Sequence, residues 1–506
     1  MTAPKHDIVI VGGGGSGLAA AASAAQNGAR VIVLEKEAEL GGCTAIAVGS
    51  FTAAETSYQK KAGITDRVED HAQDAGKFAT PGIEARNNAE LRRYFIERSS
   101  ETLDWLAGLG LVFQGPSPEP PNRVPRMHNV VPGARAYILA LEQVIRRHGG
   151  EILPGARANG LILEKRRVIG VQAEVDGIPA EFMVSKGVIL AAGDYSSSPD
   201  LIAENKGKEF AGIEGICASA TGDGHRLCEA VGAVMINMDV TYGPELRFIP
   251  PERKSLLRRL PAGGVFRNVM GAAVPFVPKG VMNAVIKREL VTWQHPEDRI
   301  FRDGAILVNA RGERFCNETV SPAREIAIAA QPGKIAYILL DERLIALYDQ
   351  WPNFISTAPE IAYAYVKDYL RLRPDVALAM NSLSEIAALR CIPPGRLEHV
   401  VSVYNRYATG KAADQFSRTG DSAPLQGSRW VMLGPVKACF TTTEGAPAIN
   451  RNMQVLDGDG VPIPGLYAVG QNGLGGQILW GHGLHIAWAM TSGRLAGRLL
   501  AGMKAP

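Results

Sequence analysis

The feature that most constrains the fold of this chain lies within its first thirty-five residues. A short β-branched run, Asp7–Val11, passes into the glycine-rich turn Gly12–Gly17 and then into an alanine-rich stretch of high helix propensity. A second apolar run, Arg30–Leu34, ends in Glu35. The order predicts a strand, a tight turn, a helix and a parallel strand, which is how a doubly wound α/β fold begins.

The spacing of the glycines predicts a dinucleotide site in this turn. Gly12, Gly14 and Gly17 fit G-x-G-x-x-G, which allows a tight turn, close approach of a diphosphate and close helix–strand packing. The helix N-terminus then offers its N–H groups to the phosphates. Glu35 stands where a carboxylate binds unphosphorylated ribose hydroxyls. We therefore predict that the nucleotide is bound by Gly12, Gly14, Gly15, Ser16, Gly17 and Glu35.

Further motifs resemble the flavoprotein family of fumarate reductase and succinate dehydrogenase, which includes the 3-ketosteroid dehydrogenases. In family order they are Glu35-Lys36 with Gly41–Thr44, Gly187–Gly193, Ala220–Gly224, Ile463–Gly470 and Thr491–Gly497. The resemblance covers nearly the whole chain and implies FAD as cofactor. It adds these residues to the predicted FAD site: Lys36, Gly41, Gly42, Cys43, Thr44, Ala192, Gly193, Asp223, Gly470, Gln471 and Trp480.

Two departures from the family pattern concern the flavin itself. Gln471 and Asn472 replace an acid that commonly holds the ribityl chain, and both can still hydrogen-bond hydroxyls. No histidine matches the one that carries covalent flavin in the respiratory enzymes, so we expect non-covalent FAD. Cys43 is either a reactive thiol or a small packed side chain.

The resemblance also implies the domain organisation. We predict an α/β protein in which a discontinuous Rossmann-like FAD-binding domain, residues 1–237 and 433–506, contains an inserted α+β substrate or cap domain, residues 238–432. A chain of 506 residues is too long for one hydrophobic core. The middle does not repeat the glycine fingerprint, so we expect no second Rossmann domain for NAD(P)H.

Charge and cysteine usage narrow the partners. The net charge of +3 gives no sign of a nucleic-acid partner, and none of the six cysteines forms a C-x-x-C pair that would signal zinc, an iron–sulfur cluster or haem. No apolar run reaches the roughly 18 residues that span a bilayer, and no secretory signal is visible. We expect a cytoplasmic enzyme with a small-molecule substrate and an external electron acceptor or donor, such as a quinone, oxygen or a redox protein.

One segment, Glu252–Arg288, is strongly basic and interleaved with apolar residues. It contains eight Lys and Arg residues, and Glu252 is its only acid. It is either a solvated loop over the cap or a flap that touches a membrane surface or admits an apolar substrate.

The resemblance places the chemistry beside the flavin, where the protein must move a proton and stabilise an enolate-like charge. The arginines and histidine that clamp dicarboxylates in fumarate reductases are largely missing here. Met238–Pro244 resembles a ketosteroid dehydrogenase stretch, but both catalytic tyrosines of that branch are absent. Gly483 remains where a backbone N–H polarises the substrate carbonyl.

His482 is the leading catalytic candidate, because an imidazole titrates near neutral pH and it lies on the loop entering the last helix. It can alternatively hydrogen-bond only to backbone, and His485 is expected to be structural. Trp480 is expected either to stack on the flavin, to line the substrate site or to pack in the core. The remaining catalytic candidates are His128, Arg126 as a group that stabilises anionic reduced flavin or an enolate, Tyr242 as a proton relay and Arg324 as an anion clamp. Their structural alternatives are a surface loop for His128 and Arg126, a buried core position for Tyr242 and a surface helix for Arg324.

Three functions compete on this basis. The first is a dehydrogenase that desaturates a CH–CH bond next to the carbonyl of a cyclic or apolar ketone. The second is a fumarate-reductase-like ene-reductase acting on an enoate, and the third is a flavin-binding electron carrier or sensor without turnover. Hydroxylation is less supported, because no NAD(P)H-binding element is evident.

Overall fold

A computed structural model describes residues 5–251, 287–288, 290–292, 294–358, 362–420 and 422–504. The basic segment Glu252–Arg288 lies outside the described residues except for Lys287 and Arg288. The flap prediction therefore stays a prediction. Among the described helices, none is long and apolar enough to cross a membrane.

The described strands, in chain order, are β1 (His6–Val11), β2 (Val31–Glu35), β3 (Ser50–Thr52), β4 (Val112–Ser117), β5 (Met127–Val131), β6 (Glu151–Pro154), β7 (Ala156–Glu164), β8 (Arg167–Val175), β9 (Ile178–Leu190), β10 (Glu214–Gly215), β11 (Met235–Ile236), β12 (Thr241–Tyr242), β13 (Glu245–Phe248), β14 (Ile306–Val308), β15 (Ala336–Leu340), β16 (Ser356–Ala358), β17 (Ala362–Ala364), β18 (Ala377–Met380), β19 (Trp430–Phe440), β20 (Thr442–Thr443), β21 (Ala446–Pro447), β22 (Gln454–Leu456) and β23 (Pro462–Ala468).

The described α-helices are α1 (Gly15–Gln26), α2 (Gly42–Ile46), α3 (Ser57–Lys61), α4 (Val68–Ala75), α5 (Pro81–Glu84), α6 (Ala89–Gly108), α7 (Arg135–Arg147), α8 (Pro199–Asn205), α9 (Asp223–Glu229), α10 (Arg299–Arg302), α11 (Ala323–Ala329), α12 (Glu342–Leu347), α13 (Val366–Leu372), α14 (Leu383–Leu389), α15 (Arg396–Ala408) and α16 (Leu484–Gly502).

The first sheet confirms the predicted doubly wound α/β start. Its strand order is β22-β23-β9-β1-β2-β6, and β1 pairs in parallel with both β2 and β9. The strands β7, β8 and β9 form an antiparallel meander, and β9 is long enough to join that meander to the central sheet. Buried Val, Ile and Leu side chains on β1 and β2 explain their central position, because strands covered on both faces have little room for polar residues.

The last helix packs directly on the first one. A Cβ on Gly493 would lie 2.2 Å from the Ser16 carbonyl oxygen, and one on Gly497 would lie 2.1 Å from that of Ala20. Only glycine permits this approach of α16 to α1. The beginning and the end of the chain therefore form one layer over the same face of the sheet.

A second sheet carries a second hydrophobic core. Strand β19 lies at its centre and pairs with β10, β13, β15 and β18, while β14 pairs with β15. Its core residues run from Tyr195 to Phe440. The predicted boundary between residues 432 and 433 falls inside β19, so the whole strand up to Phe440 packs with the inserted core. The division into two domains otherwise remains a prediction.

Candidate active site and cofactor cradle

The three fingerprint glycines have the separate roles that their spacing predicts. Gly12 has φ of +108°, and a Cβ there would lie 2.4 Å from the Ala191 carbonyl oxygen. A Cβ on Gly17 would lie 1.9 Å from the Gly12 carbonyl oxygen, so this glycine permits close helix packing. Gly14 is different, because the nearest heavy atom to its Cβ would be 3.9 Å away. An open face is thus left at Gly14, at the start of α1.

A second glycine turn lies beside the first. The Gly41 amide donates to the Gly13 carbonyl at 2.9 Å. Gly42 adopts φ of +47°, and a Cβ on it would lie 3.6 Å from the Gly14 Cα. A Cβ on Gly15 would meet the Thr44 hydroxyl at 2.5 Å. The predicted cofactor residues from the two turns are therefore brought together around one open edge.

Three predicted ligands, two at the end of β2 and one at the start of α9, are already hydrogen-bonded. Glu35 accepts from the Gly13 amide at 2.6 Å and the Glu37 amide at 2.9 Å, and a carboxylate retains capacity for ribose hydroxyls. The Lys36 ammonium donates to Asp223 at 2.8 Å and to the Thr221 hydroxyl at 2.5 Å. The family motifs that contain Lys36 and Asp223 thus meet in space.

The cysteine of the second turn contacts Cys217, which lies three residues before the Ala220–Gly224 motif. The hydrogen bond with Cys217 raises the pKa of the Cys43 thiol above its ordinary range, and burial adds to that effect. The same bond lowers the pKa of Cys217 to about 7. Both thiols are reduced.

The carboxyl ends of β9 and β23 bring the remaining predicted ligands together. The Ala192 amide donates to the Asn472 side chain at 3.3 Å, and Gly193 has φ of +79° with open space at its Cβ position. A Cβ on Gly470 would lie 2.5 Å from the Ser16 hydroxyl. Gln471 donates through Nε2 to the Thr442 hydroxyl at 2.5 Å and to the Thr443 carbonyl at 3.2 Å.

Unpartnered polar atoms are concentrated in one stretch of the described chain. Six buried side-chain atoms between residues 444 and 491 have no hydrogen-bond partner, namely Glu444 Oε2, Gln471 Oε1, Asn472 Nδ2, Gln477 Oε1, Trp480 Nε1 and Thr491 Oγ1. Buried polar groups normally have partners, because an unmet one costs about 1–3 kcal/mol. Donors and acceptors together with the open glycine edge fit a large polar cofactor such as FAD.

The turn before α16 carries an imidazole–carboxylate pair. His482 Nδ1 lies 2.5 Å from Glu119 Oε1, and the His482 amide donates to the same oxygen at 2.8 Å. Glu119 is buried, while the His482 side chain is 58% exposed. The hydrogen bond with Glu119 raises the pKa of His482 above its ordinary value. The imidazole is therefore accessible and biased toward its protonated, acid form.

Strand β3 fixes the backbone of this turn. The Thr52 hydroxyl donates to the His482 carbonyl at 2.7 Å, and a Cβ on Gly483 would lie 2.7 Å from that hydroxyl. Gly483 caps α16 with φ of +79°. The first turn of α16 thus begins at a left-handed cap, and a helix N-terminus carries a partial positive charge that can polarise an oxygen.

Tyr242 and Trp480 form an aromatic wall beside the pair. Their ring centroids are 5.4 Å apart with an interplanar angle of 21°. Burial raises the pKa of Tyr242 to about 12, with a further contribution from Glu245, so its phenol stays protonated at neutral pH. Trp480 packs on Tyr242, and contact of its indole with flavin stays a prediction.

The chain matches the family model described as an FAD binding domain over residues 7–478. It belongs to this family. Among curated relatives, it is 26% identical over 99% of its length to "NADH:fumarate oxidoreductase" of Klebsiella pneumoniae, of which it covers 48%. It is also 26% identical over 98% of its length to "Vinyl phenol reductase" of Lactiplantibacillus plantarum, of which it covers 97%. The chain therefore spans about half of the first relative and nearly all of the second.

Solved structures agree on the fold. The open conformation of a flavocytochrome c3 fumarate reductase superposes with a TM-score of 0.71 at 23% identity, covering 98% of this chain and 78% of that one. A 3-ketosteroid-Δ4-(5α)-dehydrogenase from Rhodococcus jostii superposes with a TM-score of 0.59 at 21% identity, covering 99% and 98%. The resemblance to the fumarate reductase and succinate dehydrogenase family is confirmed, and this FAD-binding oxidoreductase uses FAD.

Two candidates on β5 and the loop before it occupy structural positions. His128 is fully buried, hydrogen-bonded through Nε2 to the Thr56 hydroxyl at 3.0 Å, and burial lowers its pKa to about 4. Arg126 is also fully buried, rather than on a surface loop, and bridges Asp66 at 2.7 Å and Asp74 at 2.6 Å. Strand β3 separates β5 from the His482 turn, so neither side chain is brought to it.

Arg324 likewise occupies a structural position. It begins α11 in the inserted core, where its guanidinium is paired with Glu325 and, at 2.7 Å, with Asp298. A third bond reaches the Glu318 carbonyl at 3.1 Å. The guanidinium is only 3% exposed, so the structure does not support the predicted anion clamp or the surface-helix alternative.

The sequence reasoning missed three acids of the site. Glu119 binds His482, Glu444 binds His485, and Asp194 accepts from the Thr442 hydroxyl at 2.6 Å. Asp194 directly follows the predicted Ala192-Gly193 turn, so its position after a strand was a usable signal. Glu119 carried none, because it lies 363 residues from its partner in a proline-rich stretch.

Proposed function

We propose that this flavoenzyme moves a hydride and a proton across a carbon–carbon bond next to the carbonyl of a neutral, planar substrate. The observation that carries the proposal is the exposed His482 held by buried Glu119 beside the Tyr242–Trp480 wall. An accessible acid and an aromatic wall suit a substrate whose unsaturated carbons gain or lose a proton.

Each side chain has a distinct role in this proposal. Bound FAD supplies the group that exchanges hydride with the substrate carbon. His482 gives a proton to the adjacent carbon, or takes it in the reverse direction, and Glu119 stabilises the imidazolium. Tyr242 keeps its phenolic proton and donates a hydrogen bond to the carbonyl oxygen, while the cap of α16 at Gly483 adds its backbone dipole.

The charges around the wall favour a neutral carbonyl over an enoate. Three carboxylates, those of Glu119, Glu245 and Glu444, act on Tyr242 electrostatically, and Arg247 is the cation that opposes them. Arg247 is itself bonded to Glu245 at 3.0 Å. With protonated His482 paired to Glu119 and Arg247 paired to Glu245, the Glu444 carboxylate is the charge left in excess, and it disfavours an anionic substrate in a partly buried site.

The reductive direction is supported by the names of the curated relatives, which include reductases of fumarate, urocanate and vinyl phenol. Reduction would need an external electron donor, and we propose a redox protein or a quinol for this role. We also propose that the reaction takes place in the cytoplasm. The second candidate is the reverse reaction, desaturation of a cyclic or apolar ketone. It is supported by the retained Gly483 and the Tyr242-Gly243-Pro244 stretch.

Anaerobic half-reactions test the proposal. The enzyme is loaded with FAD, reduced chemically and mixed with a conjugated cyclic enone, while the oxidised enzyme is mixed with the saturated ketone. We expect the enone to restore the yellow colour, and His482→Gln to slow that reoxidation by about 100-fold. The exposed, distant His399→Gln is the matched control. If neither enones nor enoates reoxidise the flavin and no ketone bleaches it, the electron-carrier function replaces this one.

A further inference from the structure

A second imidazole–carboxylate pair lies one helical turn from His482. His485 Nε2 is 2.9 Å from Glu444 Oε1. Glu444 is fully buried, whereas the His485 side chain is 25% exposed. The pair thus connects a dry carboxylate to the accessible side of the first turn of α16.

The carboxylate of this pair has an incomplete set of partners. Glu444 Oε2 is buried and has no hydrogen-bond partner among the described residues. A buried carboxylate with one partner is costly, unless that partner carries the balancing proton. Unpartnered atoms of Gln471 and Trp480 belong to the same stretch of chain, whose unpartnered groups fit FAD. The free oxygen of Glu444 is therefore one of the groups available to bind the cofactor.

The backbone holds Glu444 rigidly in this position. Its amide donates to the Val240 carbonyl at 2.9 Å, and the next carbonyl, that of Gly445, accepts from His225 Nε2 at 2.8 Å. A Cβ on Gly445 would lie 2.3 Å from the Tyr195 hydroxyl, so the loop has no room to shift. The carboxylate therefore stays beside His485, the hydrogen-bond partner through which a proton can reach it.

We propose that the Glu444–His485 pair is a second proton site of the redox centre, which takes up one proton as electrons enter and releases it as they leave. The inference rests on the proposed function. His482 exchanges a proton with the substrate, whereas His485 offsets the negative charge that reduction adds to a buried site. The proton enters through the exposed edge of His485, and the bond to Glu444 holds it.

Five other charged groups act on the phenols that face Glu444, namely Asp194 and Asp239 on Tyr195, and Glu245, Arg247 and Glu119 on Tyr242. The charge of Glu444 reaches Tyr195 and Tyr242, and burial raises the pKa of both phenols, so neither exchanges a proton at neutral pH. Burial lowers the pKa of His225, which stays neutral while bonded to Gly445. The His482–Glu119 pair is the remaining group on this turn that can exchange a proton.

The test counts protons taken up per two electrons, from the slope of the FAD midpoint potential against pH between about pH 6 and about pH 9. It requires bound FAD but no turnover, so it stands or falls separately from the proposed function. We expect two protons per two electrons in the wild-type protein and one in Glu444→Gln and His485→Gln. In His485→Gln, which leaves the free oxygen of Glu444 in place, the affinity for oxidised FAD should stay within about threefold, because the charge change belongs to the reduced state.

Controls separate this role from a structural one. His399→Gln, an exposed histidine on α15, should keep the wild-type slope. If Glu444→Gln fails to fold, His485→Gln carries the test, because its side chain is partly exposed. A wild-type slope in His485→Gln, or loss of oxidised FAD binding with an unchanged slope, would overturn the proposal.

Discussion

Gly14 and Gly17 are three residues apart but have different steric surroundings, so alanine at each position should separate folding from cofactor binding. Gly14 has φ of −77°, which alanine adopts readily, and its Cβ would meet nothing closer than 3.9 Å. Gly14→Ala should therefore cost the apo chain about 1 kcal/mol or less, the difference between glycine and alanine at a helix N-cap. Gly17→Ala puts a methyl group 1.9 Å from a backbone oxygen, and overpacking of this kind costs about 1–3 kcal/mol or more.

FAD affinity, unlike the stability of the apo chain, should fall strongly in Gly14→Ala. A methyl group on its open face occupies the space that the diphosphate needs, and one lost hydrogen bond to a charged group is worth about 1.5–3 kcal/mol. FAD affinity should then fall by about 10-fold to 100-fold. Denaturant unfolding of the apo chain and titration with FAD measure the two effects. A Gly14→Ala protein that binds FAD as tightly as wild type would refute the diphosphate assignment.

Three further outcomes are expected. Burial lowers the pKa of His128 from 6.5 to about 4, so the unfolded chain binds the proton at a higher pH than the folded one. The free energy of unfolding should therefore fall by about 3 kcal/mol as the pH drops from 6.5 to about 4. Denaturant unfolding of His128→Gln should show a flatter pH dependence over this range. Glu119→Gln removes the carboxylate that raises the pKa of His482, so the alkaline limb of the flavin reoxidation rate should move to lower pH in stopped-flow profiles. Arg324→Gln leaves Glu325 buried without its cation, and unfolding should show a loss of about 3–5 kcal/mol, whereas an unchanged midpoint would contradict the ion-pair role.

The cofactor half of the site could be predicted because its signals are local. The glycine spacing, the strand before it and the acid after β2 fall within thirty-five residues, and each has a backbone reason that does not depend on distant contacts. The distant segments that complete the cradle were found through the family resemblance, and the structure shows Lys36 on Asp223 and Ala192 on Asn472.

The catalytic half depends on pairings that a single sequence does not reveal. Arg126 looked available for an anion, but Asp66 and Asp74 stand 60 and 52 residues before it and occupy its guanidinium. His482 was identified from its place on the last loop, while Glu119, which decides its protonation, was not. Burial and long-range ion pairing decide such roles, and both are properties of the fold rather than of a motif.

The packing of α16 on α1 explains how one fold serves relatives named for different substrates. Gly493 and Gly497 lock the last helix to the first, so the turn that carries His482 is fixed relative to the open edge at Gly14. The proposed cofactor edge and the proposed proton donor are thereby positioned by the same contact. The side chains that we propose to meet a substrate come from elsewhere, with Tyr242 from β12, Glu245 from β13 and Glu119 from the loop after β4. Substitutions there would alter charge and shape without disturbing the helix pair, so the proposed carbonyl substrate is compatible with a fold shared with fumarate reductases.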